Sequence, residues 1–167
     1  MSIMEMKQRV KSIKLVWLVK AAQLKAAFAL AKRQNLDMEE LHPYTIKDPE
    51  SVAGAVRARI QDKAKEHFKL VVLNTRNKIT AILDISVGTL NASLVHPREV
   101  FKDAIANNAS SIILAHNHPS GDLEPSDDDL ALTRRLVDAG RLMGIEVLDH
   151  IIITRNDFRS FKQKGLM

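Results

Sequence analysis

Two histidines one residue apart, His116 and His118, stand at the end of an apolar run, Ser111-Ile112-Ile113-Leu114. Such a run, closed by turn residues, reads as the end of a buried β-strand. Side chains two apart on a strand point to the same side, so both imidazoles can aim at one point. Asn117, between them, points the other way and is no ligand candidate. Pro119 and Gly121 break the strand into a loop. Beyond it, Leu130-Ala131-Leu132-Thr133-Arg134-Arg135-Leu136-Val137 spaces its apolar residues as a helix does. Ser126 is placed to N-cap that helix, which sets Asp129 on its first turn. Two neutral imidazoles and one carboxylate, joined by a strand end and a helix start, make three ligands of a zinc site with one position left open for chemistry. Asp122, Asp127 and Asp128 are rivals to Asp129 as the acid. A plainer reading competes: acids beside the positive end of a helix dipole, after an ordinary Pro-Ser-Gly-Asp turn.

The elements that must position these residues can be read in order. Residues 5 to 33 read as helix, rich in Ala, Leu, Lys, Gln and Val with no Gly or Pro. Leu24, Ala27, Phe28 and Ala31 keep one apolar stripe, as in an amphipathic helix that docks on the domain or a partner. The stretch from Asn35 to Pro49, with a short extended piece at Tyr44-Thr45-Ile46, reads as the boundary between arm and domain. Asp48 can cap a helix from Pro49 to Lys65, with Val52, Val56 and Ile60 facing one way. Phe68 to Leu73 and Ile79 to Ile85 read as a hairpin turned at Asn74-Thr75-Arg76-Asn77-Lys78. Gly88 marks a bend, and Leu90 to Val95 a further short strand or loop. A helix from Arg98 to Asn107 after Pro97 places Val100, Ala104 and Ile105 inward. The helix from Asp127 to about Leu142 ends at Gly144, and Ile145 to Thr154 is a core strand. Within it Asp149-His150 reads first as a buried histidine with a local polar partner, and second as support for a metal ligand. His42 and His67 read as surface histidines, and the last segment, Asp157 to Met167, shows no chemistry. The pattern lacks a strict βαβ rhythm, so the expected class is α/β (α+β): one mixed sheet with helices on both faces.

The 167 residues suit one domain with a short appendage. No cysteine is present, so any metal must sit on His, Asp or Glu. Through Gln34 eight Lys/Arg face Glu5 alone, a charge of +7 that leaves −2 for the rest of the +5 chain. The basicity therefore belongs to the arm, and an evenly basic nucleic-acid-binding domain is not indicated. Lys20 and Lys25 interrupt any signal-peptide core, and no apolar stretch is long enough to span a bilayer. A cytoplasmic protein with no membrane contact is expected, and homodimerisation is left open.

The motif His116-Asn117-His118-Pro119, a loop, then Ser126-x-x-Asp129 resembles that of the JAB/MPN-plus (JAMM) metallopeptidases. Three stretches, Gly88 to Phe101, Ala115 to Asp122 and Leu148 to Ile153, resemble the JAB domain of the RadC family, and the likeness covers residues 46 to 167. The resemblance implies two regions: a basic helical arm and linker over 1–45, and a RadC-type metal-dependent hydrolase domain over 46–167. It implies the JAB/MPN fold, related in layout to cytidine deaminases. It also settles the choice of acid, since the family pattern puts the third ligand at Asp129. Glu66 is the residue that matches the family's general base, and Ser126 matches a hydrogen-bond donor to the oxyanion. Residues 20 to 33 resemble the tail of the helix-hairpin-helix segment of full-length RadC proteins. Val16-Trp17-Leu18-Val19 stands where that hairpin needs glycines, so its DNA-binding role is not carried over.

The implied activity is hydrolysis of a peptide or isopeptide bond in a protein or peptide substrate, with zinc as cofactor. The rival is a DNA-repair accessory protein that binds nucleic acid through the basic arm. A nuclease read from the letters H-N-H fails, because those nucleases spread the residues over a ββα unit. A deaminase would need a Pro-Cys-x-x-Cys, and the chain has no cysteine.

Overall fold

The computed structural model describes residues 17, 19–27, 29, 46, 48–88 and 95–167. It divides into one unit ending at Pro43 and another from Tyr44 to Met167. In the first, residues 19–27 are helical. The rest of the expected helix over 5–33, His42, Tyr44-Thr45 and the strand or loop expected from Leu90 lie outside the described residues, apart from a few positions.

The second unit holds α1 (Pro49–Ala58), β1 (Glu66–Leu73), β2 (Ile79–Gly88), α2 (Pro97–Ala106), β3 (Ser111–Asn117), α3 (Asp127–Met143), β4 (Glu146–Ile153) and β5 (Phe158–Ser160). The strands form one mixed sheet in the order β2-β1-β3-β4-β5. Among the described strands only β3 and β4 run parallel, joined by the crossover helix α3. β3 lies at the centre and is buried along its whole length, which is why its sequence is almost continuously apolar.

Both faces of the sheet are covered. On one, Val52, Ala53 and Val56 of α1 pack against Val71, Ile113 and Ile151. On the other, Phe101 of α2 and Leu132 and Leu136 of α3 pack against Phe68, Leu70 and Leu114. Each large apolar side chain removed from water contributes roughly 1.5–3 kcal/mol, so these layers fix the ends of β3 and α3 relative to one another.

Local rules explain most boundaries. Asp48 caps α1 through Ser51 N at 2.8 Å, with Pro49 at the first helical position. His96 caps α2 by accepting from Arg98 N. Gly144 closes α3 in the left-handed region at φ 69°. The hairpin turn is held by Asn74, whose side-chain oxygen accepts from Arg76 N and Lys78 N.

Three expectations need correction, and one segment holds structure that the sequence did not disclose. α1 stops at Ala58, seven residues short of Lys65, because Asp62 accepts from Ala64 N and folds the chain into a turn; such a side-chain bond competes with the helical one. Ile105 is 59% exposed, and Phe101 takes the inward place beside Val100 and Ala104. His67 is buried, with one ring nitrogen 2.9 Å from the Asp62 carbonyl and the other 3.4 Å from Asp84 Oδ1. The C-terminal segment adds an edge strand, β5, and seats Phe161 in the core.

Candidate metal centre

β1 and β3 are antiparallel, with Phe68 opposite His116. Alternation therefore places Glu66 and Phe68 on the same sheet face as His116 and His118. α3 covers that face, and its first turn brings Asp129 to the strand end. The Nε2 atoms of His116 and His118 lie 3.0 Å apart. Asp129 Oδ1 is 3.4 Å from His116 Nε2, and Oδ2 is 3.8 Å from His118 Nε2. Ligands held tetrahedrally at about 2.0–2.1 Å from one zinc are separated by about 3.3 Å. The spacing therefore fits a single ion. The rivals Asp122, Asp127 and Asp128 are exposed, and none joins the cluster of His116, His118 and Asp129.

The hydrogen bonds behind this cluster decide which nitrogens carry protons. The Asp129 carbonyl can only accept, so the Thr133 hydroxyl, 2.6 Å away, spends its proton there. Thr133 Oγ1 must then accept from His150 Nδ1, also at 2.6 Å. His150 Nε2, left bare, accepts from His116 Nδ1 at 2.9 Å. His116 Nε2 therefore faces the site with its lone pair. At the second histidine, Nδ1 donates to the Asp122 carbonyl at 2.8 Å, and Nε2 is again the bare atom of the neutral ring. With His118 neutral, two lone pairs and a carboxylate converge on one point; the proton that Asp129 favours on His118 is the one a cation would displace.

The same geometry sets the charges. Burial holds the His116 pKa down to about 4 against the pull of Asp129, so this imidazole is neutral at physiological pH. His118 is raised, first by its hydrogen bond to Asp129 and then, among smaller effects, by the carboxylate of Glu66. Burial pushes the Asp129 carboxyl upward, but His118, His116 and Ser126 together outweigh it and hold the group well below the usual range.

Residues 46–166 match the family model of the RadC-like JAB domain. The chain belongs to this family. It is 49% identical to a UPF0758 protein of Alkaliphilus metalliredigens over 96% of this chain and 68% of the relative. A UPF0758 protein of Desulforamulus reducens is 50% identical over 96% of this chain and 70% of its own length. One from Moorella thermoacetica is 50% identical over 91% and 66%.

Within this RadC-like JAB domain, Glu66 opens β1, and its field reaches His118. Asn117 is on the opposite sheet face, as expected, and takes a part that sequence reasoning missed. Its Oδ1 accepts from His67 N at 2.8 Å and its Nδ2 donates to Lys65 O at 2.9 Å, so one side chain grips the backbone on both sides of Glu66. Ser126 and Asp129 form a capping box: Asp129 N donates to Ser126 Oγ, and Ser126 N to Asp129 Oδ2. The Ser126 hydroxyl proton also goes to Asp129 Oδ2, at 2.6 Å. A contact to an oxyanion requires that hydroxyl to turn away from Asp129.

The polar partner expected for His150 proves to be the ligand candidate His116 together with Thr133. The neighbouring Asp149 instead accepts from Ser160 Oγ, Lys162 N and His150 N and so anchors the C-terminal segment. Phe161 packs on the His150 ring at 4.5 Å, and Phe68 stacks on His116 at 6.2 Å. Thr133 is four residues after Asp129 on α3, so helical spacing sets the two on one face, but its bond to His150 depends on the packing of α3 against β4. Replacing it with valine removes the acceptor that orients His150. Zinc affinity is expected to fall, by at most the roughly 10–100-fold that follows loss of a ligating histidine's direct partner, here His150. Competition with a fluorescent chelator measures this, and unchanged affinity would show that the chain of bonds does not support the site.

Proposed function

We propose that this chain is a zinc-dependent hydrolase of peptide or isopeptide bonds, with His116, His118 and Asp129 as metal ligands. The observation that carries the reading is the convergence of two imidazole nitrogens and a carboxylate at zinc-like spacing, with the charge of Glu66 felt at His118. Zinc, when bound, supplies Lewis acidity that polarises a carbonyl and acidifies water.

The chain's own residues do the rest. Glu66 accepts a proton from the attacking water as the new C–O bond forms at the carbonyl carbon. It returns that proton to the nitrogen as the C–N bond breaks, which releases a neutral amine. Asn117 fixes the carboxylate by holding Lys65 and His67. Ser126 holds Asp129, and on turning outward it can donate to the oxyanion, a bond that strengthens as charge develops.

The test is incubation of the zinc-loaded chain with a peptide library and with lysine-linked isopeptide conjugates, read by mass spectrometry. Cleavage is expected to cease with a chelator and to return with zinc. No cleavage of any substrate, together with salt-dependent DNA affinity that is lost when residues 1–34 are removed, would favour the accessory-protein reading instead.

A further inference from the structure

A cleft of about 410 Å³ opens at the carboxyl ends of β3 and β4. It lies between the end of α1, the turn from His118 to Gly121, and Thr154-Arg155 after β4. Parallel strands joined by a crossover place their ligand crevice at these carboxyl ends. The volume lies within the roughly 300–1,000 Å³ of small-ligand sites. Of the metal-centre residues His118 alone lines the cleft, and it is the side chain through which the cleft meets the centre.

The charges in the cleft have one sign. Arg57, Lys63 and Arg155 line it, and among the described residues no acidic one does. This is unexpected in a chain whose net charge beyond Gln34 is −2. Arg57 is fixed in place: its Nε donates to Thr154 O at 3.1 Å and its Nη2 to Asp157 O at 2.9 Å, and among the described residues its other N–H groups have no partner. A guanidinium held by two carbonyls loses little freedom when it takes up an anion. Ile60, Ile153 and Pro119 add an apolar lining.

We propose that this cleft binds a carboxylate of the substrate peptide, carried by an Asp or Glu side chain or by a free C-terminus close to the scissile bond. The proposal rests on the hydrolase reading for its reacting bond and on the cleft alone for its charge preference. A nucleic-acid groove fits less well: such grooves track a backbone and offer aromatic rings for base stacking, and among the described residues no aromatic ring but that of His118 lines this cleft.

Anisotropy with labelled peptides tests it on the full zinc-loaded chain. Peptides identical except for a central Asp-Glu or Lys-Lys pair are compared, each with a free and an amidated C-terminus. Acidic peptides are expected to bind about tenfold more tightly, the scale of one or two charge-assisted hydrogen bonds. The double variant Lys63→Glu/Arg155→Glu, at two exposed positions, is expected to reverse the preference, and Lys63→Gln/Arg155→Gln to abolish it. A gain that survives amidation identifies the side chain as the carboxylate, and one lost on amidation identifies the terminus. Equal binding of acidic and basic peptides, a preference unmoved by the double variant, or tighter binding of a single-stranded oligonucleotide at equal salt overturns the proposal. Charge-selective binding without cleavage would remove the hydrolase reading and leave the cleft. Cleavage without charge selectivity would do the reverse.

Discussion

His118→Ala is expected to weaken zinc binding by two to three orders of magnitude while the domain stays folded. Zinc held by a protein site is worth about 10–16 kcal/mol. Shared over four positions this gives about 2.5–4 kcal/mol per ligand, or about 10²–10³ in affinity. His118 is a better test than His116. The His116 side chain is wholly buried and stacks on Phe68, so its loss would damage the core as well as the site. The His118 side chain retains 14% exposure and sits at a turn, where truncation leaves little cavity. Metal analysis of the purified variant and chelator competition read the result, with circular dichroism as the check on folding.

The pH dependence of the unmutated chain follows from the same residue. Asp129 holds the proton on His118 above its ordinary pKa of 6.5, and a cation must displace that proton. Zinc affinity should therefore rise with pH until it passes the raised value and then level off. His116, already neutral above about pH 4, adds nothing in that window. Stoichiometric zinc in His118→Ala would remove the metal centre from further consideration.

What the sequence disclosed about this site, and what it concealed, follows from the range of the interactions involved. His116 and His118 were legible because a strand repeats every two residues, and Asp129 because Ser126 caps the helix that bears it. Both are local rules. Glu66 has no such signature. It became visible through family likeness, and its nearness to His118 depends on the antiparallel pairing of β1 with β3, whose partners are 48 residues apart at Phe68 and His116. The roles of His150 and Thr133 were hidden for the same reason: β4 must lie beside β3, with α3 across both, before the imidazole of one touches the other. Asn117 was dismissed correctly as a ligand, but the period-two rule says only where a side chain points and not what backbone waits there. The mistaken helix end at Lys65 and the supposedly exposed His67 share one cause, Asp62, whose side chain turns the chain and whose carbonyl receives the His67 ring.

Glu66→Gln is expected to lower the hydrolytic rate by about 10²–10⁴, the usual contribution of a general base, with zinc content unchanged. Glutamine keeps the length and hydrogen-bonding capacity of the side chain but cannot hold a proton between the attacking water and the leaving nitrogen. Zinc should stay because His116, His118 and Asp129 are untouched and Asn117 grips the neighbouring backbone, not the side chain. The loss belongs in kcat more than in KM, since proton transfer is made only in the transition state. This combination, a bound metal with stalled turnover, separates a base from a structural acid at the mouth of the site. A variant that cleaves as fast as the parent would show that another group takes the proton and that the first residue of β1 is not the base.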